Sequence, residues 1–256
     1  QMVPLVPGRS ERVGRHLLTL TPVGHLLGAS AVTLQEPGQG GRRLVFSGDV
    51  GRQNDLLMPP PQRVRRADVL IVESTYGNRV HPQEDSAERL AGIITRTVER
   101  GGSVLMPTFA VGRAQALLVV LQRLRRSGAI PLELPIFLDS PMAVAATALY
   151  RQHSQLLRVP PREMRGLADG VRMVETLQQS QRLMGSRFPS VILSASGMAT
   201  GGRVLHHLKH LAPDARHSVV FAGFQVGGSR GARLLAGERE VKIHGEMVPV
   251  RADIHQ

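Results

Sequence analysis

The chain has 256 residues, 42% of them hydrophobic, enough for one large domain or two small ones with packed cores, which excludes a chain disordered over most of its length. No apolar run approaches the roughly 20 residues that span a bilayer, nothing at the start reads as a secretory leader, and zero Cys excludes disulfides and thiolate metal sites, leaving His and carboxylates, which suit zinc or manganese. The formal net charge of +12 is concentrated in residues 77–233, where 20 Lys and Arg stand against 10 Asp and Glu, a balance that points to a polyanionic partner such as nucleic acid.

The first third reads as β-rich. Leu17 to Val23 and Ala31 to Gln35 are short apolar or alternating runs, and Arg43 to Phe46 follows the turn signal Pro37-Gly38-Gln39-Gly40-Gly41, which predicts a hairpin. A strand at Val69 to Val72 runs into Glu73-Ser74-Thr75-Tyr76-Gly77. From Gln83 the rhythm changes to strand then helix. Asp85 and Ser86 can cap a helix reaching Arg100, and Ser103 to Met106 reads as a buried strand. Ala114 to Arg126 carries apolar residues at 117, 118, 121 and 124, the spacing of one helical face. Pro135 to Leu138 is a short strand before a helix from about Pro141. A polar, Arg-rich stretch then precedes strand Val191 to Leu193, helix Arg203 to Leu211 and strand Val219 to Ala222. Such alternation predicts a parallel, doubly wound sheet.

The turns that follow these strands are small and polar: Pro107-Thr108-Phe109-Ala110, Asp139-Ser140-Pro141 and Ser194-Ala195-Ser196-Gly197-Met198. Ligands of open α/β sheets bind at the carboxyl ends of strands, where helix N-termini offer N–H groups to anions, so Thr108, Ser140 and Ser196 are candidate phosphate contacts, with Arg113 and Arg203 as nearby cations. The same residues also serve as ordinary caps and turn formers. Aromatic residues make up only 3%, too few to suggest a stacking platform, and no GxGxxG fingerprint follows the first strand.

Three residues in the first third stand at strand ends: His25, Asp49 and Glu73. Imidazole can supply a metal nitrogen, one carboxylate can bridge metals, and a second can orient a proton-transferring group. Singly, each is also a usual core or turn residue. His206, His207 and His210 have the spacing of a zinc helix, but without an acidic partner in the sequence nearby they read as surface or RNA-contacting residues.

Taken in order, Gly24-His25-Leu26-Leu27-Gly28-Ala29, Phe46-Ser47-Gly48-Asp49, Glu73-Ser74-Thr75-Tyr76-Gly77 and Pro107-Thr108-Phe109-Ala110-Val111-Gly112-Arg113 closely resemble successive motifs of the β-CASP branch of metallo-β-lactamase-fold nucleases. Leu138-Asp139-Ser140-Pro141-Met142-Ala143, Ser194-Ala195-Ser196-Gly197-Met198-Ala199-Thr200-Gly201-Gly202-Arg203 and Val248-Pro249-Val250-Arg251-Ala252 continue the resemblance over almost the whole chain. It implies an α/β fold, a partial metallo-β-lactamase αββα sandwich with an inserted doubly wound β-CASP domain. Residues 1–83 would be the later part of the first hydrolase segment, 84–232 the β-CASP domain, and 233–256 the start of the return. It also implies that His25 and Asp49 bind zinc, Asp49 bridging two ions, and that Glu73 is the catalytic acid that partners a histidine in leaving-group protonation.

The sequence departs from the family in two respects. The upstream His-x-His-x-Asp-His string does not occur, nor does the downstream Ser-Ala-His motif, and His255 is not placed to replace a ligand. The resemblance therefore implies the interior of a longer zinc-dependent, cytoplasmic ribonuclease, inactive as this chain, with RNA as partner and a homodimer compatible with it. The alternative is a non-catalytic RNA-binding homologue.

Overall fold

The computed structural model describes residues 4–38, 40–78 and 86–256. These form two compact units, Gln1–Gln83 with Ser154–Pro160, and Glu84–His153 with Pro161–Gln256. Gln39 of the expected hairpin turn and Asp85, the expected helix cap, lie outside the described residues.

The first unit is one five-stranded sheet in sequential order: β1 (Ser10–Val13), β2 (His16–Pro22), β3 (Ser30–Gln35), β4 (Arg43–Phe46) and β5 (Val69–Ile71). Alternating Leu and Thr in β2 pair with β-branched residues of β3, Thr19 opposite Thr33 and Leu20 opposite Val32, which suits a pleated, half-buried surface. The β3–β4 hairpin forms as the turn residues predict, closed by an Arg42–Glu36 ion pair at 2.9 Å. Neighbours are antiparallel up to β4, whereas β4 and β5 are parallel. It follows that β2, β4 and β5 all point the same way and end at one edge of the sheet.

The second unit is built on a six-stranded sheet, in spatial order β13, β10, β6, β9, β7, β8 in the numbering that follows, parallel throughout. Along the chain come α1 (Ser86–Glu99), β6 (Val104–Pro107), α2 (Arg113–Arg126), β7 (Ile136–Asp139) and α3 (Pro141–Gln152). Next are α4 (Pro161–Arg165), β8 (Val171–Val174), α5 (Leu177–Met184), β9 (Val191–Ser194), α6 (Val204–Leu211) and β10 (Ser218–Val220). The chain closes with α7 (Arg230–Leu235), the hairpin β11 (Glu240–Ile243) and β12 (Glu246–Pro249), and β13 (Asp253–His255). Buried Leu105, Ile192 and Val219 share one core with Leu208 of α6, Leu234 of α7 and Val241 of β11. Strand alternation directs Val104, Met106, Leu138 and Leu193 to the opposite face, and all four are fully buried. Strands buried on both faces explain why they read as continuous apolar runs.

One expectation changes. The stretch between α3 and β9, read only as polar and Arg-rich, holds α4, β8 and α5; β8 is short, and its Arg172 stays outside with its guanidinium over the Phe137 ring. Residues 253–255 extend the second sheet, with Val219 opposite Ile254. The pairing satisfies backbone groups of β10 that would otherwise form a bare edge. Among the described residues no helix is long and apolar enough to cross a membrane.

Candidate active site

At the common edge of the first sheet, the segments after β2, β4 and β5 hold one another by backbone bonds. Gly51 N–H donates to Val23 O at 2.8 Å, and Ser47 N–H to Ile71 O at 2.9 Å. The approach is so close that glycine is required: a Cβ on Gly24, whose φ is +65°, would sit 2.2 Å from Pro59 O, and one on Gly51 would sit 2.0 Å from Gly24 O. This packing places His25 Nε2 3.9 Å from Asp49 Oδ2, with both side chains open to solvent. Glu73 is fixed beside them. Its Oε1 accepts the Val50 N–H at 2.9 Å, its Oε2 accepts the Thr75 N–H at 3.1 Å, and its own N–H donates to Ser47 Oγ at 3.0 Å. The Val50 amide and then Thr75 hold the Glu73 carboxyl below its ordinary range, with the nearby His25 adding to the effect. Glu73 is therefore ionised at neutral pH, a group suited to orient a proton donor rather than to be one.

His25 and Asp49 are donors of the type zinc takes, one nitrogen and one carboxylate. Their number falls short of the three protein ligands that a catalytic zinc keeps, and among the described residues no group of three or more His, Cys, Asp or Glu could hold a metal ion. The donor chemistry fits zinc; the described set does not complete a site.

In the second unit β6, β9 and β7 are neighbours, so the turns after them lie side by side at the carboxyl edge. Thr108 N–H donates to Ser194 O at 3.0 Å, and Ser194 Oγ to Asp139 O at 3.1 Å, tying the three turns together. Thr108 and Ser140 are buried, and Ser140 Oγ caps α3 by accepting the Ala143 N–H at 3.2 Å. Ser196 Oγ lies 3.1 Å from Thr200 Oγ1, and Arg113 is exposed at the first turn of α2. Arg203 turns inward. Its Nη1 donates to Asp139 Oδ1 at 2.8 Å and Val174 O at 3.1 Å, and its Nη2 to Glu175 O at 2.7 Å.

Sequence reasoning overlooked the acid at the centre of this edge. Asp139 is fully buried, and besides Arg203 it accepts from Ser180 Oγ at 2.5 Å and pairs with His207 Nε2 at 2.6 Å. His207 is 1% exposed, not a surface residue as its helix spacing suggested. The missed signal is its register: it lies three residues after Val204 and four before Leu211, on the apolar face of α6.

Comparison with known proteins agrees with this architecture. Residues 114–234 match the family model described as Beta-Casp domain. The chain is 39% identical to Ribonuclease TTHA0252 of Thermus thermophilus, an alignment covering 98% of this chain and 59% of that protein. It is 36% identical to Transcription termination factor FttA of Methanocaldococcus jannaschii over 88% of this chain and 37% of that one, and 35% identical to the Pyrococcus abyssi protein of the same name over 93% and 39%. The chain thus spans little more than half the length of the Thermus relative and about two-fifths of the archaeal ones. The second unit carries a Beta-Casp match and these relatives align across both units, which is consistent with the β-CASP nuclease family.

Proposed function

We propose that this chain is part of a zinc-dependent ribonuclease that hydrolyses RNA phosphodiester bonds. The observation that carries the reading is the convergence of His25, Asp49 and Glu73 at one sheet edge from three separate segments, a juxtaposition that unrelated turn residues have no reason to adopt. In this reading His25 and Asp49 contribute two ligands of a metal site whose other donors lie outside the described set. Zinc, when bound, would supply Lewis-acid stabilisation of charge developing on the phosphate. Glu73, fixed by two amides, holds the ionised acceptor position that orients a proton donor toward the leaving group. Of the expected contacts, Ser196 and Arg113 are open to an RNA strand, whereas buried Thr108 and Ser140 and the inward-turned Arg203 shape the carboxyl-edge turns that present them, and the +10 balance of residues 77–233 supports a phosphate-driven contact. In this reading the protein acts in the cytoplasm.

One observation favours a second reading, a non-catalytic RNA-binding homologue: the described residues offer no group of three metal donors. Two assays separate the readings. The chain alone, incubated with labelled RNA and zinc, is expected not to cleave, because two ligands are too few. Exchanged for the matched segment of the Thermus relative, it is expected to give a cleaving chimera whose activity is abolished by His25→Ala or Asp49→Ala. A chimera that folds and binds RNA yet never cleaves supports the binding protein. Metal-dependent cleavage by the chain alone, lost in His25→Ala, overturns the ligand argument.

A further inference from the structure

Phe109 stands in the turn after β6, at the carboxyl edge of the second sheet, and is 49% exposed. We propose that its ring is the platform on which a nucleobase of the bound strand stacks, an inference that rests on the RNA reading above. Phosphate contacts hold a strand without regard to its bases, and a fixed aromatic face adds the base itself to what is recognised.

Aromatic rings are large apolar groups that a fold gains by burying, as it does with Tyr150 and Phe221 of the same unit. Phe109 is buried on one side alone. Its Cδ2 and Cε2 stand 2.9 and 3.0 Å from the place a Cβ on Gly197 would take, and its backbone N stands 3.0 Å away. Gly197 does not have a positive φ, so glycine is required there to admit Phe109 rather than to free the backbone. The seat of the ring is held firmly. Thr108 N–H donates to Ser194 O at 3.0 Å, Ala114 N–H donates to Phe109 O at 3.2 Å, and buried Gln225 donates from Nε2 to Gly197 O at 3.1 Å. A ring fixed in this way has little freedom left to lose when a ligand settles on it.

The surroundings favour a nucleotide over an apolar protein partner. Ser196 immediately precedes Gly197, and its hydroxyl lies 3.1 Å from that of exposed Thr200. Arg113 opens α2 four residues after Phe109 and is exposed. Hydroxyls and a guanidinium suit phosphate and sugar oxygens, and the ring between them suits a base, so the edge offers both chemistries that a strand carries. Phe188 provides the contrast. It is more exposed, at 78%, but it precedes β9 and so lies at the opposite, amino edge of the sheet, away from these turns.

Two probes of equal length and charge test the proposal: an oligoadenylate and an abasic ribose-phosphate strand, each titrated at low salt into the full chain. The chain is expected to bind the oligoadenylate about tenfold more tightly, the effect of one stacked base. Phe109→Leu keeps an apolar side chain against Gly197 but removes the aromatic face, and is expected to lower oligoadenylate affinity about tenfold while leaving the abasic strand unchanged. Phe109→Tyr, which keeps the face, is expected to retain the preference. Phe188→Leu should change neither affinity, and Arg113→Gln should weaken both strands alike, because it removes a charge and no stacking surface. A preference that survives Phe109→Leu, or an equal loss for both strands in that variant, overturns the proposal, the second result marking the ring as a support of the turn. Equal binding of the two strands by the unaltered chain overturns the stacking and leaves the RNA reading standing, whereas binding of neither overturns both.

Discussion

Replacing Asp139 by Asn removes one charge from the interior of the second unit and leaves three donors aimed at a carboxamide. The parent carboxylate receives Arg203 at 2.8 Å, Ser180 at 2.5 Å and His207 at 2.6 Å, and is fully buried. Breaking one side of a buried charge pair costs about 3–5 kcal/mol. Arg203 is 19% exposed and keeps its bonds to Val174 O and Glu175 O, so the lower end applies, about 3 kcal/mol. For a domain of this size that corresponds to a fall in melting temperature of roughly 6–12 °C. Urea denaturation of Asp139→Asn, Arg203→Met and the double variant measures it, and the two substitutions are expected to be non-additive because they break the same pair. The effect should also depend on pH. Burial by itself raises the Asp139 carboxyl, but hydrogen bonds from His207, Ser180 and Arg203 outweigh it and hold the group below its usual 3.8. A depressed folded value means that this stabilisation is complete above the unfolded value and is lost as pH falls through the folded one. The gap between parent and Asp139→Asn should therefore narrow below about pH 4. A difference under about 0.5 kcal/mol at neutral pH, or strict additivity with Arg203→Met, would refute the reasoning.

Two further outcomes follow from geometry and charge. Gly24→Ala forces a side chain into left-handed backbone 2.2 Å from Pro59 O, and is expected to destabilise the first unit by about 2 kcal/mol or more, seen as lost amide-exchange protection in β2 and β3; unchanged protection contradicts the packing described for that edge. RNA binding by the chain is expected to weaken steeply with salt, with log K falling by roughly 0.7 per phosphate contact for each decade of salt, and Arg113→Gln should lower both affinity and slope, whereas salt-independent binding contradicts a phosphate-driven interface.

The alternation of strand and helix from residue 86 onward was legible because its strands are buried on both faces and its long helices keep one apolar stripe; α2 and β7 fall within a residue of where spacing puts them. Elements whose stability comes from neighbours were not legible. The three-residue β13 and the four-residue β8 carry too little pattern of their own and exist because an adjacent strand offers backbone partners. The candidate site divides in the same way. Sequence order singled out His25, Asp49 and Glu73 as polar residues at strand ends, since apolar runs stop there. Their meeting depends on β4 and β5 being parallel, on the direction that β3 restores to β4, and on glycines that admit contacts no Cβ would allow. His207 makes the same point from inside the fold. Its chemical type suggested a surface, but pairing with Asp139, 68 residues earlier in the chain, makes its burial affordable, and only the tertiary structure brings acid and imidazole within 2.6 Å.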